Sequence, residues 1–118
     1  MSINQTQQKA VKAVAEIAAL LSAALAESGP LGARLKFVYP DAGIVMIDGA
    51  KSPVEIHGRD EAADCTVQID PLLHLQILHL EADQGLAFRQ GKMRISGDVA
   101  VAVRLGTQVL EKINEGRS

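Results

Sequence analysis

The chain has no tryptophan, one tyrosine and two phenylalanines, so aromatics make up only 3% of it. Its interior must therefore be filled by Ala, Val, Ile and Leu, and an aliphatic interior is easily left partly unfilled. A single cysteine, Cys65, excludes an intramolecular disulfide framework and fits a reducing compartment. Net charge is small too. A net charge of -2 and a pI near 5.9 exclude the extended basic footprint of a nucleic-acid-binding protein. The longest apolar run, Ile17 to Ala26, is broken by Ser22 and is ten residues long, whereas a membrane-spanning helix needs about 20. The start, Met1 to Gln8, is polar and lacks the basic and apolar regions of a secretory signal. These absences lead us to expect a soluble, cytoplasmic protein.

The chemistry of common enzymes is missing as well. There is no G-x-S-x-G, no P-loop and no dinucleotide fingerprint. His74 and His79 are five residues apart, about 140° around a helix, so they cannot chelate from one face. His57 has no visible partner, and Asp64 and Asp70 read as a strand terminus and a helix cap. Cys65 falls on the apolar side of its strand, the position of a buried, inert thiol. The expectation is a protein with no catalytic residues, no bound metal and no cofactor.

What is present is an orderly alternation of periods. With 118 residues the chain suits one domain, long enough to bury roughly 65% of the surface its unfolded form exposes. Residues 4–28 read as one Ala-rich helix with Val14, Ile17, Leu21 and Leu25 on a stripe, ended by Gly29-Pro30. The period then falls to two. Leu35, Phe37 and Tyr39 share one face of a strand over 33–39, and Pro40 to Gly43 turns the chain into a second strand over 44–48. A third short strand covers 54–57. A fourth, over 64–69, puts Cys65, Val67 and Ile69 on one side. Asp70-Pro71 opens a leucine-rich helix running to about residue 80, with a loop or short turn over 81–90.

The most telling stretch is Gly85 to Asp98. Gly91 and Gly97 mark two bends, with Met93 and Ile95 alternating against Lys92, Arg94 and Ser96 in a strand over 92–96. Asp98 then stands as the N-cap of a last segment in which Val99, Val103, Leu110 and Ile113 fit a helical stripe, although Val99 to Val103 also alternates like a strand. The order of elements gives an α+β layer structure, an antiparallel sheet covered on one face. Arg89, Lys92 and Arg94 gather locally, either as a solvated strand face or as a patch for an anionic headgroup, a CoA phosphate or a membrane surface.

Ala87 to Asp98 resembles the "A-F-x-x-G-K-(L/M)-(K/R)-I-x-G-(N/D)" segment of the sterol carrier protein 2 (SCP2) family. Ala63-Asp64-Cys65-Thr66-Val67 is similar to the family's "A-D-C-T-(I/V)" strand, residues 71–80 to its leucine-rich helix, and Ala102-Val103-Arg104-Leu105 to its closing "A-M-K-L". The resemblance covers most of 30–113. It implies a five-stranded, mainly antiparallel sheet covered on one face by helices, a helix after Asp98, and a hydrophobic tunnel between the two layers. It also implies non-catalytic binding and transfer or presentation of a lipid: a fatty acid, fatty acyl-CoA, phospholipid or sterol-like molecule. An accessory role in lipid or isoprenoid-quinone biosynthesis, holding an apolar intermediate for partner enzymes, is the alternative.

The chain departs from the animal protein in its simple first helix and in ending Glu115 to Ser118 with no peroxisomal Ser-Lys-Leu. That leaves sterol in doubt as the ligand and favours a standalone bacterial-type member. On this resemblance the tunnel lining is expected to draw on Met46, Leu72, Leu75, Leu78, Phe88, Met93, Val99, Val103 and Leu110, with Gln90, Arg89 and Lys92 near a polar headgroup. Transient membrane contact, a homodimer and a partner enzyme stay open as further partners.

Overall fold

The computed structural model describes residues 4–116. The N-terminal Met1 to Ile3 and the C-terminal Arg117-Ser118, on which part of the signal readings rest, lie outside them. Helix α1 spans Gln5–Leu25 and starts where the Asn4 side chain accepts the Gln7 N–H at 2.7 Å. Ala13, Ile17, Leu21 and Leu25 recur every fourth residue and form its buried stripe. The helix ends at Leu25 rather than Ser28. The Ser28 N–H turns back to the Leu25 carbonyl, and Gly29-Pro30 cannot continue a helical ladder.

Strands β1 (Arg34–Tyr39), β2 (Gly43–Asp48), β3 (Glu55–His57), β4 (Cys65–Ile69) and β5 (Met93–Gly97) form one sheet in the order β3-β2-β1-β4-β5. Every neighbouring pair is antiparallel except β1 and β4, which run parallel with Leu35 opposite Cys65 and Phe37 opposite Val67. The sheet is thus mixed and mainly antiparallel. The β1–β2 turn uses Asp41 at φ 61°, a left-handed conformation that Asp tolerates better than most residues.

One face of the sheet carries Leu35, Phe37, Tyr39, Val45, Ile47, Cys65, Val67 and Ile69, all buried. Helices α1, α2 (Pro71–Leu78), α3 (Gln84–Arg89) and α4 (Val99–Gly116) are the remaining elements. Buried residues of all four join the sheet's apolar face in one core cluster. Each large aliphatic side chain fully buried there contributes about 1.5–3 kcal/mol.

The cap predicted at Asp70 is present, its carboxylate accepting the Leu73 N–H at 3.1 Å. So is that at Asp98, whose carboxylate accepts the Ala100 N–H at 3.1 Å. This cap fixes the last segment as helix despite its β-branched residues. Helix α3 occupies part of the stretch expected to be a loop or short turn. Asp83 caps it through the Leu86 N–H, and Gly91 at φ 72° closes it. Six residues with a glycine inside are too short a pattern for periodicity to show.

Gly97 fixes how β5 meets β4. Its φ is 87°, and a Cβ there would lie 2.5 Å from the Asp64 carbonyl oxygen. The same carbonyl accepts the Asp98 N–H at 2.9 Å, so the helix α4 start is pinned to the sheet through this glycine.

Candidate functional site

Between the sheet and helices α2, α3 and α4 lies a cavity of about 240 Å³. Its floor is Leu35 and Phe37 of β1, Val67 and Ile69 of β4, and Met93 and Ile95 of β5. Its roof is His74 and Ile77 of α2, Gln84, Gly85 and Phe88 of α3, and Val99, Ala102, Val103 and Gly106 of α4. Period-2 alternation makes the floor apolar. The roof is apolar where α3 and α4 turn their own stripes inward. Phe88, Val99 and Val103 line the cavity and are also 50%, 45% and 56% exposed. They form its mouth, and Leu86, also exposed, lies nearby on α3.

Of the residues expected to line a tunnel, Phe88, Met93, Val99 and Val103 come together here. The others lie elsewhere. Leu78 is buried in the core and borders a second void of about 10 Å³. Leu110 borders a shallow depression near Leu80. Leu72 is exposed and Leu75 half-buried, because α2 turns Pro71, His74, Ile77 and Leu78 inward instead. Met46 is fully buried, but on the far face of the sheet: its register partners are Lys36 and His57, whereas the cavity-side Leu35 pairs with Ile47. Gln90 is exposed at the end of α3. Arg89, Lys92 and Arg94 are exposed and make no ion pair among the described residues.

Two polar residues of the site, His74 and Gln84, escape apolar-periodicity reading. The Tyr39 hydroxyl and the His74 Nδ1 are 2.7 Å apart, both residues buried. The imidazole packs on Phe37, ring centres 4.5 Å apart, and Phe37 lies nearly parallel to Tyr39. Burial lowers the His74 pKa to about 4 and raises that of Tyr39, so both are neutral at neutral pH. Gln84 has no hydrogen-bond partner among the described residues. Its amide lies against Gly106, where a Cβ would come within 3.1 Å of Oε1. The available signal was His74 among the leucines of its helix and Tyr39 on a buried strand face: two polar groups bound for one interior need each other.

His74, Gln84 and Gly106 border both the main cavity and the smaller void. The two spaces therefore adjoin at these residues.

Cys65 is buried beneath α4, and burial raises its pKa, so it is a thiol and not an activated nucleophile. On the far face, Asp48, His57 and Glu61 bring their ligand atoms within 4.8 Å of one another. These groups are engaged in ion pairs and a backbone hydrogen bond. Arg34 holds Asp48 at 3.2 Å, and Arg59 holds Glu61 at 3.3 Å. The His57 Nδ1 accepts the Arg59 N–H at 3.0 Å, which leaves the proton on Nε2, the nitrogen a metal would need. That Nε2 lies 3.2 Å from a Glu61 oxygen but off the line of a hydrogen bond.

A model of the SCP-2 sterol transfer family matches residues 5–109 of the chain. Among solved structures, the sterol carrier protein domain 2 of Helicoverpa armigera superimposes with a TM-score of 0.72 at 18% identity, covering 97% of this chain and 95% of its own. Sterol carrier protein 2 of Aedes aegypti, in complex with the C16 fatty acid palmitate, gives 0.60 at 20% identity, covering 92% and 96%. The UbiJ-SCP2 ubiquinone synthesis protein gives 0.63 at 21% identity, covering 84% and 93%. Among curated proteins, no sequence matches.

Proposed function

The chain belongs to the SCP-2 sterol transfer family, and from that premise we propose that it is a non-catalytic carrier. It binds one long apolar molecule, such as a fatty acid, fatty acyl-CoA, phospholipid or sterol-like lipid, and transfers or presents it. The observation that supports this best is the continuity of half-exposed Phe88, Val99 and Val103 with an apolar cavity of about 240 Å³. Each CH2 group moved from water into such a space contributes about 0.8 kcal/mol without directional contacts, which suits cargo of varied shape. Met93 in the floor adapts readily to such variety.

No step of catalysis is assigned. Among the described residues, the hydroxyl held by His74 is that of Tyr39, which lines neither void, and Cys65 is a buried thiol. We place the carrier in the cytoplasm, meeting membranes transiently through its mouth, where exposed Arg89 follows exposed Phe88 on α3 and Leu86 is exposed on the same helix. No described helix is long and apolar enough to cross a membrane.

The test is mass spectrometry of an organic extract of the purified protein, with saturable one-site displacement of a fluorescent fatty acid. A released lipid together with displacement supports the carrier. An empty extract and no displacement overturns it. Likeness to a ubiquinone synthesis protein gives the second reading, an accessory holding an apolar intermediate for partner enzymes. Stoichiometric capture of such enzymes would favour it.

A further inference from the structure

The cavity is apolar except at one place, and that place has a defined hydrogen-bonding character. His74 and Gln84 are its polar side chains, and both stand where it adjoins the smaller void. The 2.7 Å bond between Tyr39 and His74 can be made in two ways. If the imidazole Nδ1 donated, the buried Tyr39 O–H would need another acceptor, and none exists among the described residues. The hydroxyl therefore donates to Nδ1. The imidazole proton then sits on Nε2, a donor with no partner among the described residues, on a ring that borders both spaces. The Gln84 amide adds an unpaired donor and an unpaired acceptor at the same junction.

We propose that His74 and Gln84 are the polar end of the site and select a ligand carrying an uncharged oxygen, the hydroxyl or carbonyl of a long-chain alcohol, ketone or ester, over a carboxylate. A carbonyl oxygen accepts from His74 Nε2–H and from the Gln84 amide. A hydroxyl accepts from His74 and donates to Gln84 Oε1. A carboxylate would be buried without a compensating charge, because making the imidazolium requires a proton on Nδ1 and so displaces the Tyr39 hydroxyl from its acceptor. Burial already disfavours the charged ring, with a pKa of about 4. The inference rests on the carrier reading and names the chemistry of the carried molecule.

The test is NMR titration of the labelled full chain at pH 8 with 1-decanol, 2-decanone and decanoate, followed on the methyl groups of Ala102 and Val103. In the unsubstituted protein the alcohol and ketone are expected to bind about tenfold more tightly than decanoate, the loss from one poorly satisfied buried group. The Tyr39→Phe/His74→Phe double variant, which keeps the ring volumes and leaves neither partner orphaned, should narrow that ratio to about twofold, and so should Gln84→Leu on the half-exposed α3. The 15N spectrum of the His74 ring, which needs no variant, should show the Nε2–H form and a shift on adding decanol. Decanoate binding as tightly as decanol, an unchanged ratio in Gln84→Leu, or an Nδ1–H ring would each overturn the proposal while leaving a carrier. No methyl shift with any of the three compounds would overturn the carrier reading together with it.

Discussion

Gly106 of α4 and Gln84 of α3 fit closely against each other: a Cβ at 106 would stand 3.1 Å from Oε1 and 3.2 Å from Nε2 of the amide. The glycine lies inside a helix of 18 residues, where Ala is favoured by about 0.8–1 kcal/mol. Its position over the junction of the two voids gives the small residue a purpose. Gly106→Ala should raise stability by somewhat under about 1 kcal/mol, since Gln84 is flexible and can shift a few tenths of an ångström. The same change should push the amide into the cavity and weaken binding. Urea unfolding and ligand displacement on one preparation check both signs, and a variant that binds better while unfolding earlier would contradict this view of the contact.

The burial of His74 makes stability depend on acid. The folded-state pKa of His74, about 4, lies below the ordinary 6.5, so the unfolded chain binds the proton first. The contribution is fully present above pH 6.5 and is lost as pH falls from there toward 4. Its size is roughly 3 kcal/mol, the 2.5-unit difference at 1.36 kcal/mol per unit. Other groups titrate too, so the measurement is a difference: unfolding free energy at pH 7.5, 6, 5 and 4 for the unsubstituted chain against Tyr39→Phe/His74→Phe. The unsubstituted chain should lose more stability over this range. Parallel curves would show that burial does not hold His74 neutral.

Much of this architecture is legible in the residues, and the limits of legibility are physical. Strands β1 and β4 show because one face is buried and the other is not, so Leu35-Phe37-Tyr39 and Cys65-Val67-Ile69 alternate cleanly. Helix α2 does not reveal its inward face, because Pro71 to Leu78 is apolar nearly all the way round. Leu72 and Leu75 look as inward as His74, and the choice is made by the Tyr39 hydroxyl across the core. Met46 misleads in a related way. Strand β2 is buried on both faces, so only the pairing of Leu35 with Ile47 tells which residues meet the helices. Phe88, Val99 and Val103 are expected as lining from the resemblance and not from composition, and their exposure at the mouth shows only in the fold.

Access through that mouth can be closed without disturbing the core. Val103 is 56% exposed yet lines the cavity, so Val103→Trp should cost less than about 0.5 kcal/mol, as surface changes do. It should nevertheless reduce displacement of a fluorescent fatty acid at least tenfold by covering the opening, an effect of about 1.4 kcal/mol. Val99→Trp, at 45% exposure on the same rim, should act alike. Undiminished binding by both folded variants would place the route to the cavity elsewhere.

The glycine between β5 and α4 should tolerate no side chain at all. At φ 87° an L-residue is strained by of order 1–3 kcal/mol. A Cβ at 97 would also meet the Asp64 carbonyl at 2.5 Å and the Cys65 Cα at 3.2 Å, both backbone atoms that cannot swing aside. Relief requires β5 to move away from β4, which breaks the Asp98 N–H bond to the same carbonyl and loosens the α4 start over the cavity. Gly97→Ala should therefore destabilise by more than about 3 kcal/mol, strain and a lost hydrogen bond together. Gly91→Ala, with φ 72° but no atom within 4 Å of the added Cβ, should cost only about 1 kcal/mol, the left-handed penalty alone. Thermal unfolding of the two variants side by side separates close approach from backbone conformation, and equal losses would show that the Asp64 contact carries no weight.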